Sequence, residues 1–297
     1  MDDTSAFRPV GKRAVEAVPV KHRRQPGAHG IPVISCLLLA IIVLGCVFAP
    51  VLANHDPTMF YLDHLNKAPD SAFYFGTDSL GRDIYSIIWY GGRISLTVGV
   101  LSMAIATAIG LLYGCISGMG TDTMDNVMMR TAELISSIPS ILLMLLLLAI
   151  LDSPSVVTLS IVIGVTQWMN LARMTRTEIR QIRSSDYILA ARAMGATFPH
   201  ILRHHLLPNV LSPLLFMIIS LIGTAMTTEA TLSFLGIGLP VEIVSWGTML
   251  SLSSRALLTN SWWIICIPGF FLVATLTAIT RVGHALRHHA VRSASNL

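Results

Sequence analysis

The sequence predicts an all-α membrane protein with six transmembrane helices, and two observations lead to this prediction. Only 12% of the 297 residues are charged and 53% are hydrophobic, whereas roughly 25% of residues are charged in soluble proteins. The apolar residues also form long uncharged runs separated by polar segments, and the mean hydropathy is +0.68. Together these features exclude soluble, disordered, collagen-like and disulfide-stapled chains. The four cysteines lie inside apolar runs without a Cys-x-x-Cys spacing, so we interpret them as packing residues.

The uncharged runs are long enough to be membrane spans. A bilayer core about 30 Å thick requires roughly 17 to 25 predominantly apolar residues in each helix. Six segments without Asp, Glu, Lys or Arg meet this requirement: residues 31–53, 94–119, 134–151, 156–172, 209–228 and 262–280. We interpret the first as an uncleaved span, because the mostly polar segment before it is too long for the leader of a signal peptide. The fourth is the shortest and contains Gln167 and Asn170.

The distribution of Lys and Arg predicts the orientation. With the N-terminus inside, 16 of the 20 Lys and Arg residues fall on the cytoplasmic side and 4 on the outside. Both termini are therefore expected in the cytoplasm. This divides the chain into a tail (1–30), a first helix (31–53), an extracytoplasmic segment (54–93), a five-helix core (94–281) and a second tail (282–297). The same asymmetry accounts for the net charge of +4 without a nucleic-acid partner.

The long cytoplasmic segment contains a predicted helix-turn-helix, residues 184–208, which we call the elbow. Asp186 or a serine before it can cap the first helix, and Gly195 can end it in the left-handed conformation. A second helix is expected to start at Pro199, because proline is favoured at the first helical position. Ala190 and Ala191 would leave a flat face that another protein can approach closely.

The elbow resembles the EAA loop of binding-protein-dependent ABC importers, whose pattern is Glu-Ala-Ala, three residues, Gly, nine residues, Ile-x-Leu-Pro. The matching residues are Ala190, Ala191, Gly195, Leu207 and Pro208. Two positions depart from the pattern, with Leu189 in place of Glu and His205 in place of Ile. The first departure removes the carboxylate for an ion pair with an ATPase. The alternative to this resemblance is an ordinary amphipathic loop.

Three further segments carry a second resemblance: Phe-Gly-Thr-Asp-Ser-Leu-Gly-Arg-Asp-Ile at 75–84, Leu-Ser-Phe-Leu-Gly-Ile-Gly at 232–238 and Ser-Trp-Gly at 245–247. They resemble segments of permeases of the dipeptide, oligopeptide and nickel importer family. Taken alone, the first of them is a turn followed by an Asp-capped helix. The long segment 54–93 is typical of the C-type permease of the two that pair in these systems. The resemblance implies a type I ABC importer permease fold with a cytoplasmic coupling helix, in the bacterial cytoplasmic (inner) membrane.

The resemblance also implies the partners, which are a second permease, two ATPase subunits, an extracytoplasmic solute-binding protein and membrane lipid. No cofactor is expected on this chain. It has no Gly-x-x-x-x-Gly-Lys-Ser/Thr segment, so it is not expected to be an enzyme, and ATP and Mg would be held by the ATPase subunits. The expected function is a translocation path for short peptides. The alternatives are import of nickel or another metal chelate and, less favoured, a secondary transporter or an intramembrane enzyme.

The resemblance and the chemistry of the residues give two sets of candidate site residues. Those expected to couple to the ATPase are Asp186, Ala190, Ala191, Arg192, Gly195, Leu207 and Pro208. Those expected on the substrate path or at the binding-protein contact are Asp78, Arg82, Asp83, Glu229 and Trp246. Glu229 is an ionisable residue at the outer end of the fifth span, where it can be functional or can reach the interface.

Two basic patterns are interpreted as surfaces. Histidines recur at helical spacing, at 200, 204 and 205 and again at 284, 288 and 289, which favours a basic surface over a zinc site. The stripe of arginines at 173, 176, 180 and 183 gives one face of a helix a positive charge. A headgroup-contacting face is the default interpretation of this stripe, and an ATPase contact is the alternative.

Overall fold

The computed structural model describes residues 32–151, 155–252, 256 and 260–295, and the regular structure in these ranges is helical. The tail 1–30, residue 31 of the first predicted span and Arg255 lie outside the described residues. The helices follow in chain order: α1 Val33–Val47, α2 Ala49–Leu52, α3 Ile84–Met119, α4 Asp122–Ser136, α5 Ser140–Leu151, α6 Val156–Gln167, α7 Met169–Ile182, α8 Asp186–Ala193, α9 Phe198–Ile201, α10 Leu207–Phe234, α11 Trp246–Ser251 and α12 Trp263–Ser295. A π-helical turn, Leu202–Leu206, joins α9 to α10.

Three helical segments are long and apolar enough to cross a membrane, namely Ile84–Met119, Leu202–Phe234 and Trp263–Arg287. Two bent pairs, α4 with α5 and α6 with α7, raise this number to five if each pair forms one span. Helix α1 is apolar but only 15 residues long. The predicted all-α membrane class is confirmed by these helices and by the family reported below.

Several predicted spans differ from the observed helices. Helix α3 begins ten residues earlier than expected, because the side chain of Asp83 accepts a hydrogen bond from the amide of Ser86 and so caps a helix at Ile84. The predicted span 134–151 is broken, and α4 and α5 meet at 83°. Pro139 lies in this break, where it has no amide hydrogen to continue the helix. Helix α6 bends by 46° into α7, which continues to Ile182.

Helix α3 lies at the centre of the bundle and packs against α7 through a stripe of glycines. An added Cβ at Gly114 would lie 2.5 Å from the carbonyl oxygen of Ala172, and one at Gly118 would lie 2.7 Å from Ile179. Gly110 makes the same close approach one turn earlier. Small residues four positions apart allow two backbones to touch, as they do between other membrane helices. The α3–α7 contact therefore depends on the absence of side chains at these positions.

The bundle has two ends, which we call the loop end, at the segment before α3, and the elbow end, at the elbow. At the loop end, the indole of Trp263 donates to the carbonyl of Thr77 at 3.1 Å, so the start of α12 meets the segment before α3. At the elbow end, the rings of Phe216 and His284 are 4.2 Å apart, so the start of α10 meets the last part of α12. The elbow is anchored there because Ile188 and other apolar side chains are buried in one cluster with residues of α3, α7 and α10.

Candidate functional site

The end of α8 adopts the conformation that the sequence predicts. Gly195 has a φ of +84°, and the amides of Met194 and Ala196 donate to the carbonyls of Ala190 and Ala191, both at 3.0 Å. An added Cβ at Gly195 would have no atom within 4 Å. Glycine is therefore required for its backbone angle and not for space. The second helix of the elbow begins at Phe198, one residue before the predicted Pro199.

The two alanines of the elbow face different ways. Ala190 is exposed, whereas Ala191 is only 4% exposed and lies on the buried side of α8 with Ile188. The expectation that both alanines form an outward flat face is wrong for Ala191, because the amphipathic pattern of α8 turns it toward the bundle. The side chain of Arg192 lies outside the described residues.

The outward face of the elbow is apolar. Tyr187 and Leu189 are 44% and 50% exposed, and Met194, just after α8, is 82% exposed. Asp186, the first residue of α8, is also exposed. Because Leu189 stands where the EAA pattern has Glu, the face offers apolar contacts at the position where that pattern offers a charge. A partner that covers these side chains would remove apolar surface from water.

The two remaining coupling candidates lie where the elbow joins α10. Leu207 is half-buried and Pro208 is exposed at the second position of α10, directly after the π-helical turn. The rings of His200 and His204 stack at 4.4 Å. Within the described ranges no group of three or more His, Cys, Asp or Glu is arranged to hold a metal ion. The side chains of His288 and His289 lie outside those ranges.

Asp78, Arg82 and Asp83, three of the candidates for the substrate path or the binding-protein contact, lie inside the segment before α3 and not on its surface. Arg82 Nε lies 2.8 Å from Asp78 Oδ2, and both side chains are about 3% exposed. The turn between them contains Gly81 at a φ of +79°, and Arg82 Nη1 donates to the carbonyl of Val241 at 3.3 Å. Asp83 caps α3. These charged side chains therefore make internal contacts, and Arg82 joins the segment before α3 to the segment that contains Val241.

Earlier in the same segment, an ion pair fixes an exposed turn. Asp70 Oδ2 lies 2.6 Å from Lys67 Nζ, and its other oxygen accepts from the amides of Phe73 and Ala72 at 2.7 and 2.9 Å. The hydrogen bond from Lys67 and those from the two amides lower the pKa of Asp70 from 3.8 to about 2. Since the folded-state pKa is depressed, the pair contributes above pH 3.8 and is lost as the pH falls through about 2.

Glu229 does not reach the interface, because its side chain is fully buried among serines. Its carboxylate accepts from Ser95 at 3.1 Å, Ser233 at 3.0 Å and Ser245 at 2.7 Å. Each of these hydroxyl oxygens also accepts a backbone amide, so its single hydrogen is directed to the carboxylate. Trp246, also buried, donates its amide to Ser95 and its indole N–H to the carbonyl of Ile88. The network joins α3, α10 and α11 at the loop end.

The arginine stripe is largely an internal contact. Arg176 Nε lies 2.8 Å from Asp125 Oδ1, and Arg180 Nη2 lies 2.8 Å from Asp125 Oδ2. Asp122 also pairs with Arg180, at 3.0 Å. Arg183 donates to the carbonyl of Gly118 at 3.1 Å. The interpretation of the whole stripe as a headgroup-contacting face is therefore wrong, because the end of α3 brings carbonyls and the start of α4 brings carboxylates to these arginines.

A cavity with a volume of about 740 Å³ lies between the α4–α5 break, the α6–α7 bend and one face of α10. Five hydroxyl residues of α10 line it: Ser220, Thr224, Thr227, Thr228 and Thr231. We call them the hydroxyl ladder. The opposite wall contains Gln167, whose amide donates to Thr228 at 3.1 Å, and Asn170. Glu229 and the other outer candidates are not among the lining residues.

The ladder presents hydrogen-bond acceptors to the cavity. Each hydroxyl donates to the carbonyl four residues earlier, as Thr224 does to Ser220 and Thr231 to Thr227. The hydrogens are thus used within the helix, and lone pairs of the oxygens remain. Gln167 and Asn170 stand out in the sequence as polar residues of the fourth span, whereas Ser220, Thr224 and Thr231 were not among the predicted site residues. Their spacing of four and seven residues, which places hydroxyls on one helix face, was the available signal.

The apolar helices indicate a membrane protein that crosses the bilayer several times, and the family models identify its class. Residues 106–294 match the family described as the binding-protein-dependent transport system inner membrane component, and residues 28–69 match the N-terminal transmembrane domain of oligopeptide transport permease C. The chain belongs to this family of ABC importer permeases.

Three relatives illustrate the similarity. The chain is 35% identical to the oligopeptide transport system permease protein OppC of Bacillus subtilis over 88% of this chain and 85% of the relative. It is 35% identical to the dipeptide transport system permease protein DppC of the same organism over 84% and 78% of the two chains. The probable D,D-dipeptide transport system permease protein DdpC of Escherichia coli is 32% identical over 96% of this chain and 95% of the relative.

Proposed function

We propose that this chain is one of two permease subunits that form the translocation path of an ATP-driven importer of short peptides. The observation that carries the proposal is a cavity lined by hydroxyl and amide side chains, among apolar ones, in a chain of this permease family. Such groups can bind the N–H and C=O groups that all peptides share, without selecting a particular side chain. The printed names of the relatives, which refer to oligopeptides and dipeptides, support the same substrate class.

The proposed topology has six spans and both termini in the cytoplasm. The end of α1 lies at the loop end, where Arg93 Nη2 donates to the carbonyl of Val47 at 2.6 Å, and α12 runs from the loop end to the elbow end. Counting each bent pair as one span and α1 with α2 as another gives six. The basic residues of the elbow and of the end of α12 then lie on the cytoplasmic side, as the positive-inside rule requires.

The elbow is proposed to dock on a separate ATPase subunit through Tyr187, Leu189, Ala190 and Met194. ATP and Mg would be held by the ATPase pair, whose closure pulls the two elbows together. Helix α10 starts at the elbow and continues without interruption to Phe234, so a displacement of the elbow moves the hydroxyl ladder as part of one rigid element. Alternating access would follow from this movement.

The loop end is proposed to receive the binding protein. The outer segments there are held in one shape by the Asp78–Arg82 pair, the Glu229 network and the indole of Trp263, which suits a preformed docking surface. A second permease would complete the cavity wall that this chain leaves open.

The metal-chelate alternative is less favoured, because the residues that line the cavity include no His, Cys or carboxylate and because the named relatives are peptide permeases. The secondary-transporter alternative lacks support, since the family is a component of ATP-driven systems with a binding protein.

The test is uptake by the complete complex in proteoliposomes with its own binding protein. Dipeptides, longer peptides and nickel chelates are compared with and without ATP inside the vesicles. ATP-dependent uptake of peptides and none of the chelates is the expected result. Peptide uptake that does not depend on ATP, or uptake of the chelates alone, would overturn the proposal.

A further inference from the structure

Among the described residues that line the cavity, a single side chain is ionisable. It is Arg173, on α7, next to Asn170 and opposite the hydroxyl ladder. Leu221 of the ladder helix packs against the cluster that contains Met169 and Ala172, so Arg173 lies toward the Ser220 end of the ladder. One positive charge is therefore fixed at the elbow end of an otherwise neutral cavity.

The other arginines of the stripe are neutralised by a carboxylate or bind backbone carbonyls, whereas Arg173 has no ion pair among the described residues. Arg176 and Arg180 share the buried carboxylate of Asp125, and Arg183 binds backbone carbonyls. Arg173 has one described contact, in which its Nη2 donates to the hydroxyl of Ser136 at 2.8 Å. This contact directs the guanidinium toward the α4–α5 break without cancelling its charge. Four of its five N–H donors remain for another acceptor.

We propose that Arg173 is a carboxylate-binding subsite that takes the C-terminal carboxylate of a peptide in transit. The proposal rests on the peptide function proposed above and specifies the end of the peptide that is recognised. A carboxylate matches the planar fork of a guanidinium and can accept two parallel hydrogen bonds from it. Every linear unmodified peptide carries this group, so the subsite is compatible with a path that accepts many sequences.

The dimensions of the cavity agree with this role. The ladder from Ser220 to Thr231 covers twelve residues of α10, and the eleven steps between them span about 17 Å at a rise of about 1.5 Å per residue. An extended peptide of about five residues has the same length. With its carboxylate at Arg173, a short peptide would lie along the ladder with its amide hydrogens facing the hydroxyl oxygens. The positive charge would disfavour the opposite direction, in which the terminal ammonium approaches Arg173.

The experiment compares trialanine with trialanine amide, which lacks the terminal carboxylate. Uptake of each peptide is measured in proteoliposomes that contain the complete complex and a saturating amount of the binding protein. Variants are Arg173→Gln, Arg173→Lys and, as a matched control, Arg130→Gln. Arg130 carries the same charge but is exposed on α4, pairs with Glu133 and does not line the cavity. The ratio of variant to wild type is taken for each peptide, so preferences of the unchanged binding protein cancel.

Arg173→Gln is expected to lower trialanine uptake about tenfold, because a charged hydrogen bond is lost, and to leave the uptake of the amide within about twofold of wild type. Arg173→Lys should retain part of the trialanine uptake that Arg173→Gln loses, and Arg130→Gln should leave the uptake of both peptides unchanged. An equal effect of Arg173→Gln on both peptides, or no effect on either, would overturn the subsite. A loss of complex assembly in both Arg173 variants would also overturn it, because it would assign the residue to the permease interface. If the wild-type complex imports neither peptide, the proposed function itself fails.

Discussion

Gly195 separates the two helices of the elbow through one backbone angle. Its φ of +84° is unfavourable for residues with a Cβ, and nothing lies near the place where that Cβ would be. Gly195→Val should therefore cost about 1 to 2 kcal/mol of local stability, and Gly195→Asn, which tolerates this region, should cost less. Substrate-stimulated ATP hydrolysis of the reconstituted complex should fall for Val and remain for Asn. Equal activity of the two variants would contradict a requirement for the left-handed angle.

Ala190 and Ala191 give a test of where the coupling surface lies. Ala190→Arg adds a large side chain to the exposed face, so the elbow should stay folded while ATPase docking and uptake fall. Ala191→Arg places the same side chain on the buried face, so the elbow itself should become protease-sensitive. The two outcomes are separated by limited proteolysis of the permease and by co-purification of the ATPase. Normal docking in Ala190→Arg would remove this face from the interface.

The carboxylate of Glu229 accepts hydrogen bonds from three serine hydroxyls. Replacing it with an amide of the same shape should therefore lower the stability of the protein. In Glu229→Gln the new amide group must meet a serine whose oxygen already accepts a backbone hydrogen, so we expect a loss of about 1 to 3 kcal/mol. Gly247→Ala should act on the same network, since the added Cβ would lie 2.7 Å from Glu229 Oε1. Thermal unfolding in detergent should report both changes. Thr227→Val, on the neighbouring cavity face, is the control expected to leave the melting temperature unchanged.

Among the helices, the start of α4 is held to α7 by ion pairs. Asp125→Asn removes a fully buried charge that Arg176 and Arg180 share, although the two guanidinium groups keep about 30% exposure to solvent. Because water screens these arginines in part, we expect a loss of about 1 to 3 kcal/mol rather than the larger effect of a fully buried pair. Glu133→Gln, which breaks the exposed pair with Arg130 on the same helix, should be silent in the same unfolding measurement.

The close contact of α3 with α7 also determines where α7 lies in the bundle. The glycine stripe at 110, 114 and 118 allows the two backbones to touch, and the arginines of α7 then reach the carboxylates beyond the end of α3. The position of the Arg173 guanidinium beside the cavity depends on the same contact. Close packing and charge pairing therefore hold α7 in place, with Arg176 and Arg180 against Asp125 and with Arg173 at the cavity wall.

For the whole molecule, the two ends of the bundle predict the orientation in the membrane. Reporters inserted between residues 54 and 67 should be outside, and reporters within residues 184–195 or after residue 295 should be cytoplasmic. The measurement is the activity of paired reporters that function on only one side of the membrane. A cytoplasmic signal from 54–67 would remove the first span from the proposed topology.

Local chemistry was sufficient to predict a large part of this structure from the sequence. Composition and the length of the uncharged runs determined the all-α membrane class, because hydrophobic transfer is a sum over residues close together in the chain. Asp83 as a helix cap and Gly195 as a helix end were also predictable, since each depends on its own backbone and two or three neighbours.

Only the tertiary structure decided what the polar side chains do. Ser95 meets Glu229 across 134 residues of chain, and Arg176 meets Asp125 across 51, so neither partner could be inferred from spacing. The 83° break at Pro139 and the face of α10 that it leaves open created the cavity. A sequence states which residues can donate, accept or carry charge, but their partners are set by which helices pack together, because packing brings distant residues within hydrogen-bond range.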